Sequence, residues 1–117
     1  MSKNVLVTGA NGFVGQAVSQ ALLQRGDSVV GVVRRPQTTV EGVREWLFDA
    51  NDFEGIDQRW PVATRCDAVI HLAARVHMKH ETTADPFAAY RATNVTGALR
   101  VAAAARRAGA RDRKSVV

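Results

Sequence analysis

Apolar residues in this chain come in short blocks separated by turn-forming and polar stretches, and the spacing inside each block names an element. Residues 4 to 8 are rich in β-branched side chains and stop at Gly9, as a strand buried on both faces of a parallel sheet would. Beyond a glycine-spaced turn, Val14, Ala17, Val18, Ala21 and Leu22 recur at helical intervals and predict one apolar helix face. Gly26 supplies the helix stop. Further strands are predicted at Val29 to Val33, Val43 to Phe48 and Ala68 to Ala73, and the stretch from Ala50 to Arg65 is less regular, with Trp60 and Pro61 breaking any long helix. Asp85 as N-cap and Pro86 in the first turn open an alanine-rich helix that runs to Arg107, with Gly109 just past its end. Its predicted inward face is Phe87, Tyr90, Asn94, Ala98, Val101 and Ala105. A polar Asn94 and a flexible Gly97 in mid-helix call for a reason beyond packing.

Strand, helix, strand, strand and helix in this order imply right-handed crossovers and a parallel sheet. The fold class is therefore α/β, a partial Rossmann-type doubly wound sheet whose predicted strands, β1 (residues 4 to 8), β2 (Val29 to Val33), β3 (Val43 to Phe48) and β4 (Ala68 to Ala73), lie in spatial order 3-2-1-4 with flanking helices. Its first and fourth strands become neighbours whose connections leave in opposite directions. Such a switch point opens the crevice where these sheets bind ligands.

Composition narrows the setting. With 117 residues, 46% apolar and 23% charged, one folded domain is expected and bulk disorder is not. The apolar runs are far shorter than the roughly 20 residues that cross a bilayer, so no membrane span is expected. A single cysteine and an opening that leads straight into a strand point to the cytoplasm. The net charge of +5 raises a nucleic-acid partner, since lysine and arginine neutralise phosphates. The arginines are spread among acids, however, and only Arg106, Arg107, Arg111, Arg113 and Lys114 cluster. That cluster reads as a helix end and solvated basic tail, and no nucleic acid is expected.

Gly9, Gly12 and Gly15 stand three residues apart between a predicted strand and a predicted helix. The first permits a tight turn, the second lets backbone approach a pyrophosphate and the third allows close helix-to-strand packing. The N–H groups of Phe13 and Val14 would face the anion at the positive helix end. This context predicts dinucleotide binding. After β2, where NAD-selective folds usually carry an acid, the chain has Arg34 and Arg35. An arginine there suits the 2′-phosphate of NADP, so the cofactor is expected to be NAD or NADP with a tilt to NADP. A solvated arginine pair is the alternative. Asp49, just after β3, is placed to accept from the adenine amino group or to end the strand in a turn. Cys66 reads as a small hydrophobe. His71, His77 and His80 lack a matching cluster of acids or cysteines, and no metal site is expected.

Three segments together resemble the extended short-chain dehydrogenase/reductase superfamily, and within it the NAD-dependent epimerase/dehydratase group acting on nucleotide sugars. Thr8, Gly9, Ala10, Asn11, Gly12, Phe13, Val14 and Gly15 resemble that family's Thr-Gly-x-x-Gly-Phe-x-Gly signature. The run Asp67 to Ala74 resembles its β4 segment, whose His71, Leu72, Ala73 and Ala74 equivalents border the nicotinamide side. Asn94 to Gly97 resembles its Asn-Val-x-Gly helix motif, which the resemblance places beside the active site. The continuation Arg75, Val76 and His77 is most similar to bacterial nucleotide-sugar 4-epimerases. The resemblance covers about residues 4 to 109 and implies about the first third of a complete member, which exceeds a typical single domain.

What the resemblance implies for chemistry is incomplete here. The family uses a Tyr-x-x-x-Lys pair as acid and base, but Tyr90 is the one tyrosine and Asn94 stands four residues later. Tyr90 reads as core packing. No catalytic residue is assigned. Residues 1–109 are taken as the NAD(P)-binding segment and 110–117 as a basic tail, with a truncation or shifted reading frame expected there. A nucleotide-sugar substrate is expected only for a full-length relative. The alternative is a dinucleotide-binding or interaction module that self-associates through an exposed edge at β4.

Overall fold

The computed structural model describes residues 3–48, 53–60, 66–73, 92–107, 109 and 112–115. Five parallel strands, β1 (Asn4–Thr8), β2 (Ser28–Val33), β3 (Arg44–Leu47), β4 (Ala68–His71) and β5 (Asp112–Ser115), lie in the order β3-β2-β1-β4-β5. Helix α1 (Phe13–Gln24) joins β1 to β2, a short α2 (Ile56–Arg59) follows β3, and a π-helical turn (Ala92–Thr96) leads into α3 (Gly97–Arg107). The predicted neighbours are confirmed: Val5 to Thr8 pair with Val29 to Val32 on one side and with Ala68 to His71 on the other. The open α/β sheet with its switch point between β1 and β4 is the architecture that the strand order implies.

Period-two alternation divides the core between the two faces of the sheet. Val5, Val7, Val29 and Val33 pack with Ala10, Leu22 and Leu23 on the side of α1. Leu6, Val30, Val32 and Val69 pack with Val101, Ala104 and Ala105 of α3 on the other. β1 therefore has no solvent face, which is why its sequence does not alternate. The second face is extended by aromatics: Trp46 meets Phe48 and Trp60 edge-on at 5.7 and 5.5 Å, and Phe53 stacks on Phe48 at 6.0 Å. At the start of β1, Asp27 accepts the Lys3 amide at 3.0 Å and Asp67 the Asn4 amide at 2.8 Å. Two carboxylates just ahead of β2 and β4 thus set the register of the central strand.

Two expectations change. The predicted α1 face of Val14, Ala17, Val18, Ala21 and Leu22 has the right period and the wrong phase. Gly15 and Ser19 are buried, Val18, Leu22 and Leu23 are half-buried, and Val14, Ala17 and Ala21 are exposed. Small residues occupy the line of contact because the helix sits very close to the strand end at Gly15. The second change is at the far edge. Where a basic tail is expected after Gly109, Asp112 to Ser115 pair in parallel with β4 in the register Ala68↔Asp112 to His71↔Ser115. β4 is therefore interior, and pairing with another chain through this sheet would use β3 or β5. The polar sequence of β5 hid it, since nothing in its side chains signals burial. Asp49, Ala74, His77, His80, the Asp85–Pro86 helix start and Tyr90 lie outside the described residues.

Leu6 is one of the largest fully buried side chains, so Leu6→Ala should destabilise the fold by about 3 kcal/mol, read as a lower urea midpoint with an unchanged slope. Cys66 is buried, its thiol donates to the Ala68 carbonyl at 3.2 Å, and burial pushes its pKa up to about 11. Alkylation of the folded chain by iodoacetamide near neutral pH should therefore be slow and should accelerate on unfolding; rapid labelling of the native chain would contradict this packing.

Candidate dinucleotide site

The site grows from the end of β1. Thr8 is fully buried, and three groups converge on its hydroxyl: the Leu72 amide at 3.1 Å, the Ala73 amide at 3.2 Å and His71 Nδ1 at 2.7 Å. The two amides donate and fill both oxygen lone pairs, so the Thr8 O–H donates to Nδ1. The neutral His71 ring consequently carries its proton on Nε2. Burial holds the imidazole pKa below the ordinary histidine value, which keeps it neutral in this role. His71 Nε2 is buried with no hydrogen-bond partner among the described residues, and the ring meets Phe53 edge-on at 5.5 Å. This knot ties the C-terminal ends of β1 and β4 where their connections diverge.

The glycines then build the floor of the crevice. Gly9 has φ +66°, and a side chain there would run into the Ala73 amide nitrogen at 2.9 Å. A methyl group at Gly15 would fall 2.0 Å from the Gly9 carbonyl oxygen, so helix and turn are in contact there. Gly12 differs from both. Its φ is −76°, it is exposed, and an added Cβ would meet only the Gly9 carbonyl oxygen, at 3.4 Å. The protein does not need a bare backbone at Gly12, whereas a ligand lying over the turn would. Gly12 also serves as the N-cap of α1 without any side-chain hydrogen bond, and no acid stands in the first turn. The first-turn amides, Phe13 and Val14 among them, thus have no side-chain cap, the arrangement by which a helix N-terminus can receive an anion. The Gly12 amide donates to Gly9 O at 3.1 Å, and Gln16 Nε2 donates to Asn11 O at 2.8 Å, holding the turn against its helix.

The predicted residues therefore divide by position. Thr8, Gly9, Asn11, Gly12, Phe13, Val14, Gly15, Leu72 and Ala73 gather where β1 and β4 end. Thr8 is consumed inside the protein, while the Phe13 side chain is 93% exposed. Arg34 is exposed just past β2, the next strand over. Asn94 is half-buried on the π-helical turn, which touches only α3 among the described elements. Asp49 and Ala74 lie outside the described residues. Sequence reasoning missed His71 as the partner of Thr8 and missed Glu45 altogether. The register Thr8↔His71 places that pair side by side on one face of the sheet, but it requires knowing the strand pairing. Among the described residues, no group of three histidines, cysteines or acids is placed to hold a metal, and no helix is long and apolar enough to cross a membrane.

Comparison with known proteins agrees with this architecture. A UDP-glucose 4-epimerase of Vibrio cholerae is 30% identical over 103 residues, covering 87% of this chain and 30% of the relative. Another UDP-glucose 4-epimerase, of Mycolicibacterium smegmatis, is 34% identical over 113 residues, covering 91% and 36%. Among solved structures, a Thermus thermophilus UDP-glucose 4-epimerase in complex with NAD superposes with a TM-score of 0.75 at 29% identity, over 94% of this chain and 36% of that one. The chain thus spans about a third of the length of the relatives it matches. The model of the NAD dependent epimerase/dehydratase family matches residues 5–117, through β5 and beyond the basic cluster, and the chain belongs to that family.

Proposed function

We propose that this chain is the dinucleotide-binding part of a nucleotide-sugar epimerase or dehydratase and does not catalyse by itself. The observation that carries this reading is the turn at Gly9, Gly12 and Gly15. Two of its glycines are required by the protein's own packing, and the third leaves bare backbone open above an uncapped helix N-terminus. A pyrophosphate over Gly12 would receive the first-turn amides. Thr8 and His71 keep β1 and β4 joined beneath it, and Leu72 and Ala73 would border the far side of the crevice; Ala74 and Asn94 are assigned to the nicotinamide side on the family resemblance of their motifs. Arg34, just past β2, is assigned to the adenosine half, where it suits a 2′-phosphate, and Asp49 is assigned there from its place in the sequence after β3, so both NAD and NADP are taken as ligands. The chemistry a bound nicotinamide supplies is reversible hydride transfer at a sugar carbon. The chain contributes binding and orientation to that chemistry. The acid and base are not supplied, because the sequence contains no Tyr-x-x-x-Lys pair. A nucleotide sugar is accordingly the substrate of a full-length relative, and the setting proposed is the cytoplasm.

Calorimetric titration of the chain with NAD and NADP should show saturable binding, and incubation with NAD and UDP-glucose should yield neither epimer nor reduced cofactor. Turnover by the chain alone would refute the division between binding and catalysis. Two substitutions separate ligand contact from folding. Gly12→Ala should melt like the parent chain and bind dinucleotide about tenfold more weakly, a loss of about 1.4 kcal/mol. Gly15→Ala forces helix and turn apart and should cost about 1–3 kcal/mol of stability as well as binding. Equal melting of both variants, or undiminished binding by Gly12→Ala, would contradict the assignment of the turn.

A further inference from the structure

The loop between β2 and β3 is organised by one carboxylate. Glu45, on β3, accepts the Gln37 amide on Oε1 at 2.6 Å, and on Oε2 it accepts the Thr38 amide at 2.9 Å, the Thr39 amide at 3.2 Å and the Thr39 hydroxyl at 2.9 Å. The Thr38 hydroxyl in turn donates to the Arg35 carbonyl at 2.8 Å. Successive backbone amides aimed at one acceptor form an anion nest, here closed by the chain's own side chain. Gln37 sits at φ 59°, a conformation that is uncommon outside glycine and persists where surrounding bonds hold it. Backbone amides, first that of Gln37 and then that of Thr38, hold the Glu45 carboxyl below its ordinary pKa, which keeps the clamp charged at neutral pH.

This clamp bears on the candidate site through its position. Residues 34–39 leave the C-terminal end of β2, the strand beside β1, with Thr8 and Val32 in register. The backbone that carries Arg34 and Arg35 is thereby held at both ends, by β2 and by the Glu45 bonds on β3. In a doubly wound fold the residues just past β2 meet the adenosine ribose, an acid for its 2′-hydroxyl or an arginine for a 2′-phosphate. An arginine fork discriminates only where its backbone is fixed, since a mobile loop must first be ordered at an entropic cost.

We propose that Glu45 is a positioning residue for the ribose end of the ligand, fixing the loop that carries Arg34 and Arg35 so that a 2′-phosphate is held there. The proposal rests on the dinucleotide reading above. Glu45 itself touches no ligand; it acts through the turn at Gln37, Thr38 and Thr39.

The test compares NADP with NAD, which differ by the 2′-phosphate, in calorimetric titrations of the 117-residue chain and its variants. Glu45→Ala should weaken NADP about tenfold while changing NAD less than about twofold. Glu45→Gln keeps the side-chain length and one carbonyl acceptor, so it should fall between, and it carries the comparison if Glu45→Ala does not fold. In a chain already bearing Arg34→Ala and Arg35→Ala, the Glu45 substitution should no longer move the ratio of the two affinities. An equal loss for both ligands, an unchanged ratio, or a further shift in the arginine-free background would overturn the proposal. Binding of NAD without NADP by the parent chain would overturn it and leave the dinucleotide reading standing, whereas binding of neither would overturn both.

Discussion

Helix α1 approaches the end of β1 so closely that one methyl group at Gly15 would lie 2.0 Å from the Gly9 carbonyl oxygen, and the rest of the site depends on that contact. It sets the phase of the helix, because a helix so near the strand end must present its smallest side chains, Gly15 and Ser19, to the sheet. It also aims the helix N-terminus at the crevice between β1 and β4, since turn and helix cannot separate without losing their packing. The uncapped amides at Phe13 and Val14 are a consequence of this geometry. A side-chain cap would satisfy them and take the place that an anion would occupy.

Beneath the turn, a small polar knot performs work that an apolar core cannot. Strands β1 and β4 are neighbours in space and far apart in sequence, and their C-terminal ends diverge into different connections. Thr8 accepts the amides of Leu72 and Ala73 on one hydroxyl oxygen and donates its own O–H in a hydrogen bond to His71. Thr8 and His71 are buried and the Leu72 and Ala73 amides partly so, and leaving the buried Thr8 hydroxyl without these partners would cost about 1–3 kcal/mol. Asp27 and Asp67 do a related job at the opposite end, where they receive the amide just before β1 and its first amide. The central strand is thus fixed by polar contacts at both ends and by apolar ones between.

How much of the site was legible depended on whether a residue acts locally or across the sheet. The glycine spacing could be read directly, because the demands on Gly9 and Gly15 arise within a few residues and follow from backbone sterics. Glu45 could not be read. Its partners are only six to eight residues away, yet they converge on it only once β3 has paired with β2. His71 was visible as part of a family-like segment, whereas its tautomer follows from the three groups that share the Thr8 hydroxyl. β5 escaped notice for a different reason, since Asp112, Arg113, Lys114 and Ser115 carry no apolar signal, and their membership of the sheet is seen only in the backbone register with β4.

The sequence by itself determined the α/β class, the order of the first four strands, the two-sided burial of β1 and the glycine turn at the switch point, together with the absence of a Tyr-x-x-x-Lys pair. Periodicity and glycine sterics are local properties, and local properties survive in one dimension. Tertiary structure decided which face of α1 is buried, that a fifth polar strand extends the sheet, that Thr8 is spent on His71, and that Glu45 holds the loop past β2. Each of those depends on which strand ends lie side by side, a relation between distant residues that only the paired sheet creates.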